Sequence, residues 1–183
     1  MPEHDETISA GDRFNIPTDP DLDQHFLTNP TKLQLLIESA AIRPTDDVVE
    51  AGAGIGTVAE HVPTRRSLTT IEYDGNLTPY LRKRVPHALV LQGDALALLP
   101  RLRCDVLLSN LPSSLTPALV ELLPTLGFRI AVVTVPTIKQ VERLDNAFTL
   151  KLVTVLDEDD FQPRQARKVE TVNLLRTSKS PHQ

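Results

Sequence analysis

One cysteine in 183 residues, Cys104, removes two possibilities at once: no disulfide can form within the chain, and no second thiol can join it in a structural zinc site. Tryptophan is absent and only seven residues are Phe or Tyr, so flat aromatic surfaces are scarce. No stretch nears the ~18 consecutive apolar residues of a membrane span, and the opening MPEHDETISAGDR is acidic where a secretory leader is basic and then apolar. A cytoplasmic location is the expectation. His4, His61, His87 and His182 show no metal-ligand spacing, and the acidic run Asp157–Asp160 has no second ligand cluster, so no metal is expected. Proline and glycine together make 22 residues, ordinary usage for a globular chain. At this length burial alone can hold one domain, and a second full domain has no room.

Charge is present but unevenly placed. Residues 1–23 hold seven acids and one base, so they account for −6 of a formal −5 and leave the remainder at +1. Residues 1–20 have no apolar period and read as an acidic flexible arm. Two basic clusters stand out: Arg82, Lys83 and Arg84 with Arg101 and Arg103, and a tail with Arg164, Arg167, Lys168, Arg176 and Lys179 facing only Glu170. Either is a candidate phosphate-contacting patch or simply a solvated face.

From residue 31 the apolar pattern becomes regular. Thr31–Ile42 has helical spacing after a possible cap at Asn29 or Thr31. Short Val-, Leu- and Ile-rich runs follow about every 20 residues, at Val48–Ala51, Leu68–Ile71, Ala88–Leu91, Val106–Ser109 and Arg129–Val135. Runs apolar on both faces, alternating with helix-compatible stretches, predict an α/β fold with a mostly parallel sheet and helices on both faces. Thr137–Ala147 reads as a polar helix, Leu150–Leu156 and Lys168–Leu175 as strands, and Asp157–Gln165 as the turn joining them in an antiparallel hairpin at the sheet edge.

The run Val48-Val-Glu50-Ala-Gly52-Ala-Gly54-Ile-Gly56-Thr57 is the most informative segment, a strand passing into alternating glycines and then, by expectation, a helix. Such a loop turns sharply and exposes peptide N–H groups to a ligand near a helix N-terminus. A dinucleotide fingerprint needs glycine where Thr57 stands, which disfavours NAD. Further acids end the next two runs. Glu72, beside Tyr73, is placed to accept from ribose hydroxyls, and Asp94, beside Ala95, from an exocyclic adenine amine.

The pattern Glu50-x-Gly52-x-Gly54-x-Gly56 resembles motif I of class I S-adenosylmethionine-dependent methyltransferases, whose Rossmann-like domain carries a seven-stranded sheet. Asn110-Leu111-Pro112 is similar to the Asn-Leu-Pro-aromatic motif of the ribosomal-RNA adenine N6-dimethyltransferases. Gln24-His25-Phe26-Leu27 resembles that family's opening segment against the cofactor, and the Phe161-x-Pro163…Val169 stretch its late catalytic motif. The resemblance implies S-adenosylmethionine as methyl donor, held by Gln24, His25, Leu27, Glu50, Gly52, Gly54, Gly56, Glu72, Tyr73, Asp94, Ala95 and Asn110. It implies methyl transfer to an amine nitrogen, in which the Asn110 side chain and the Leu111 carbonyl accept the amine hydrogens and Pro112 stiffens the turn. Residues 21–178 are then one catalytic domain and 179–183 a tail.

Three departures bear on the acceptor. Ser113, followed by Ser114, stands where the family has an aromatic ring, which leaves Phe161 as the candidate stacking face and Ser113 and Ser114 as candidate acceptor contacts. The segment between Pro136 and Leu150 is short, and the family's C-terminal helical domain is not in the sequence. Three readings stay open: an enzyme acting on adenine in RNA, one acting on a small molecule or peptide, and a cofactor-binding relic without turnover. Oligomeric state is not legible.

Overall fold

The computed structural model describes residues 19, 22, 24–165 and 167–176. The acidic arm, save Asp19, and the 179–183 tail with Lys179 lie outside the described residues. Helix α1 spans Pro30–Ser39, and Asn29 caps it by accepting from the Thr31 and Lys32 N–H groups at 3.0 and 3.2 Å. Pro30 fits the first helical position because no N–H is needed there.

Seven strands make the main sheet. They are β2 (Asp47–Ala51), β3 (Ser67–Glu72), β4 (Leu89–Gln92), β5 (Val106–Ser109), β6 (Ile130–Val135), β7 (Phe148–Leu156) and β9 (Val169–Arg176), in the order β4-β3-β2-β5-β6-β9-β7. Pairings among the first five are parallel, whereas β9 runs antiparallel to both β6 and β7. The expected hairpin forms, but its second strand inserts beside β6 and leaves β7 at the edge. Chain order reverses between β2 and β5, the switch point at which open α/β sheets bind ligands beyond the strands' carboxyl ends.

Strand alternation sends side chains to two cores. Val49, Ala51, Leu107, Ala131 and Val133 face α3 (Ala95–Leu98) and α4 (Thr116–Leu122), while Val48, Val106, Leu108, Ile130 and Val132 face α1 and α2 (Thr78–Arg84). The architecture is Rossmann-like, with helices on both faces.

Two expected helices are corrected. Thr137–Ala147 forms two single 3-10 turns, Ile138–Gln140 and Glu142–Leu144, with buried Val141 and Leu144 three residues apart. The glycine run leads only to a 3-10 turn, Ala59–His61, which Pro63 follows closely, so a helix dipole adds little at that loop. A two-stranded ribbon was not expected at all. Here β1 (Phe26–Leu27) pairs antiparallel with β8 (Phe161–Gln162), inside the segment expected as a turn, and joins the two ends of the described region.

Candidate active site

A cavity of about 360 Å³ lies beyond the carboxyl ends of β2, β3, β4 and β5. That size suits a small-molecule site. Its walls include Gln24, His25, Glu50, Gly52, Gly54, Glu72, Tyr73, Asp94, Ala95 and Asn110, so ten of the expected donor-contacting residues converge there. Among the described residues, three acids and no lysine or arginine line it.

The glycine loop is built so tightly that side chains cannot enter it. Gly54 has φ +55°, and a Cβ there would lie 2.7 Å from the Phe26 ring; Gly52 has φ +76°, and its Cβ would lie 3.0 Å from the Asn110 carbonyl oxygen. Both positions need left-handed backbone and close approach. Gly52 and Ala53 N–H groups donate to the Ile71 carbonyl at 3.0 Å, which pins the loop to β3.

Glu72 is 8% exposed, and its two oxygens accept from the Gly54 N–H at 2.6 Å and the Asp74 N–H at 2.8 Å. Burial raises its carboxyl above the usual range, and those N–H groups oppose the rise. Glu50 is buried more deeply, at 2% exposure, and its Oε2 has no hydrogen-bond partner among the described residues. Burial, reinforced by the Glu72 charge, pushes the Glu50 carboxyl well above the carboxylate range. Asp94 is exposed at the mouth and caps α3 by accepting from the Leu96 N–H at 2.9 Å. Gln24 bridges outward, donating to Asp74 Oδ2 at 2.8 Å.

A second, smaller hollow of about 20 Å³ adjoins the cavity, and His25, Asn110, Leu111 and Pro112 line both. Ser113, Thr134, Phe161, Gln165 and Val169 complete its wall. Thr134 Oγ1 and Gln165 Oε1 are buried there without partners among the described residues. This space admits one water-sized group, so a ring must lie over it rather than inside it. His25 is anchored through Nδ1, 3.0 Å from the Pro163 carbonyl oxygen.

A sequence profile described as ribosomal RNA adenine dimethylase matches residues 17–123. The chain belongs to that family. A dimethyladenosine transferase of Chaetomium thermophilum is 35% identical over 109 residues, which are 56% of this chain and 28% of that protein. A ribosomal RNA small subunit methyltransferase A of Latilactobacillus sakei is 34% identical over 76 residues, 41% of this chain and 26% of that protein. The chain thus aligns with little more than a quarter of these relatives' length. Among solved structures, a dimethyladenosine transferase from Plasmodium falciparum superposes with a TM-score of 0.77 at 21% identity, covering 85% of this chain and 64% of that one.

Against the family pattern, four expected residues fall elsewhere. Leu27 is 1% exposed and packs in the core, because β1 alternation turns Phe26, not Leu27, toward the cavity. Gly56 is outside the lining, and its φ of +88° lets Leu81 pack against it, since a Cβ there would lie 2.9 Å from Leu81 Cδ1. Phe161, expected as a stacking face, is 2% exposed in the core beneath the hollow. Ser114 lines the large cavity, and Ser113 alone reaches the hollow. The residue most clearly missed is Phe26, which lines the cavity with Leu77 and packs with Ile55 behind them. Its signal was in the QHFL segment, where only β alternation separates it from Leu27.

Both basic clusters are largely engaged. Arg164 Nε lies 2.7 Å from Asp159 and Lys168 Nζ 2.8 Å from Asp157, while Arg176 packs over Phe128 and Phe148. In the other cluster Arg84 pairs with Glu60, and Arg103 pairs with Asp47 at the sheet end opposite the cavity.

Proposed function

We propose that the chain transfers a methyl group from S-adenosylmethionine to the N6 amine of an adenine in RNA, in the cytoplasm. Family membership supports the chemistry. One observation carries it in this chain: a ligand-sized cavity and an acceptor hollow meet at a shared wall of His25, Asn110, Leu111 and Pro112. The residues present fit the donor, because the glycine loop is a cradle that any Cβ would fill and Glu50 keeps a buried oxygen for a positive charge. Glu50, Gly52, Gly54, Glu72, Asp94 and Asn110 would hold it, and when bound it supplies an electrophilic methyl group on a sulfonium.

An exocyclic adenine amine is a weak nucleophile because its lone pair is delocalised into the ring. The Asn110 side-chain oxygen and the Leu111 carbonyl accept its hydrogens and free that lone pair, while Pro112 offers no competing N–H. Phe26 and Leu77, backed by Ile55, make one wall of the cavity apolar. Rate enhancement of this kind comes from positioning, worth up to about 7–11 kcal/mol in well-oriented systems.

A second reading, transfer to the amine of a small molecule, is favoured by the acceptor side. Ser113 supplies no ring, Phe161 is buried, and Arg164 and Lys168, next in sequence to the lining residues Gln165 and Val169, are paired with acids. Incubation with labelled donor and ribosomal RNA fragments, at two salt concentrations, tests the first reading. It predicts N6-methyladenine and RNA affinity that falls steeply with salt. Donor binding without transfer to any RNA would leave the small-amine reading.

A further inference from the structure

Glu50 and Glu72 line the same cavity, yet their hydrogen bonding is opposite. Both oxygens of Glu72 accept backbone N–H groups, from Gly54 and Asp74, an arrangement that suits the ionised carboxylate. Glu50 has no such support: it is 2% exposed, Oε2 lacks a partner among the described residues, and the Glu72 charge acts on it. A second buried negative charge in that place is costly, which favours the protonated form of Glu50. Among the described residues, the other charged or titratable groups lining the cavity add no lysine or arginine to compensate it. Asp74 and Tyr73 follow β3, Asp94 stands at the mouth before α3, the β5 end contributes only neutral Ser109 and Asn110, and His25 approaches from β1.

Resting on the donor assignment above, we propose that Glu50 is a proton-for-cation exchanger: it is neutral in the free protein and gives up its proton when a positively charged ligand enters the cavity. The buried carboxylate then pairs with the ligand's charge, so it contributes to binding only for cationic ligands. The sign follows from linkage. Binding favours the deprotonated group, so donor affinity rises with pH between the point at which Glu50 ionises in the complex and the higher point at which it ionises in the free protein. Above that point the affinity is flat.

The full chain is titrated with S-adenosylmethionine by calorimetry near pH 6, in buffers of different ionisation enthalpy, which yields the number of protons released per ligand bound. Close to one proton is expected from the wild type. Glu50→Gln should release none and should lower donor affinity about tenfold, the equivalent of one pKa unit of interaction. Because histidines commonly titrate near this pH, His25→Asn serves as the control and should keep the release, as should Asp94→Asn. Binding with no proton released by the wild type, or a release that survives in Glu50→Gln and vanishes in His25→Asn, overturns the exchange while leaving the donor site standing. No binding at any pH overturns both. The wild-type proton count holds even if Glu50→Gln fails to fold.

Discussion

Replacing Gly54 with alanine tests the glycine cradle as a piece of mechanics. The new Cβ would lie 2.7 Å from Phe26 Cε1 and 2.8 Å from Cδ1, roughly 1 Å inside ordinary carbon–carbon contact. Phe26 is 6% exposed and packed with Ile55 and Leu77, so its ring can yield only toward the cavity. At φ +55° alanine also occupies left-handed backbone, which costs about 1–2 kcal/mol. Overpacking adds about 1–3 kcal/mol, for a total of about 2–5 kcal/mol. At this size each kcal/mol moves the melting midpoint by about 2–4 °C, so Gly54→Ala should melt roughly 5–20 °C lower. The control is Gly127→Ala, where no atom lies within 4 Å and φ is outside the left-handed range. It should change stability by less than about 1 kcal/mol. Urea unfolding of both variants, with calorimetry of donor binding on the folded fraction, reads the outcome. A Gly54→Ala loss below about 1 kcal/mol with unchanged affinity would refute the packing argument.

Four further outcomes follow from particular residues. Asn29→Ala removes the α1 cap and the 2.6 Å bond to the buried Asp160 carboxylate, and should cost about 2–4 kcal/mol in urea unfolding. A cost under about 0.5 kcal/mol would show that water replaces the cap. Burial pushes the Cys104 thiol up to about 12, so the native chain should resist thiol reagents near pH 8 and react on denaturation; prompt native labelling contradicts that placement. Because the folded Glu50 carboxyl lies above its unfolded value, the folded state binds the extra proton, and stability falls as pH rises from about 4.3. Glu50→Gln should therefore be more stable than wild type at neutral pH, and a less stable variant would place a favourable charge at position 50. Ser113→Tyr restores a ring beside the hollow and should raise methylation of adenine in RNA fragments; no rise favours the small-amine reading.

The main sheet was legible because its central strands, such as Val106–Ser109 and Ile130–Val135, are buried and largely apolar on both faces. Asn29 and the glycine loop were legible for a local reason, since capping and left-handed backbone constrain residue type directly. What escaped the sequence depends on distant partners. Two-residue strands have no period, so the pairing of Phe26–Leu27 with Phe161–Gln162 across some 135 positions left no pattern, and with it went the orientation of Phe26, Leu27 and Phe161. The 3-10 turns after Pro136 failed for another reason: Ile138, Val141 and Leu144 satisfy an i, i+3 pattern that α and 3-10 helices share over one turn. The basic tail stayed open between a phosphate patch and a solvated face because its acidic partners, Asp157 and Asp159, lie across a turn rather than beside it.

Donor and acceptor are proposed to meet across Asn110-Leu111-Pro112, and a crystal structure of the chain with S-adenosylmethionine shows whether they can. The nucleoside should lie against Glu72 and Asp94 with the methyl carbon turned toward the Asn110 side chain, open to the hollow that Thr134 and Gln165 line. Density for the ligand at another surface, or a methyl group turned away from Asn110 behind the apolar wall, would contradict it.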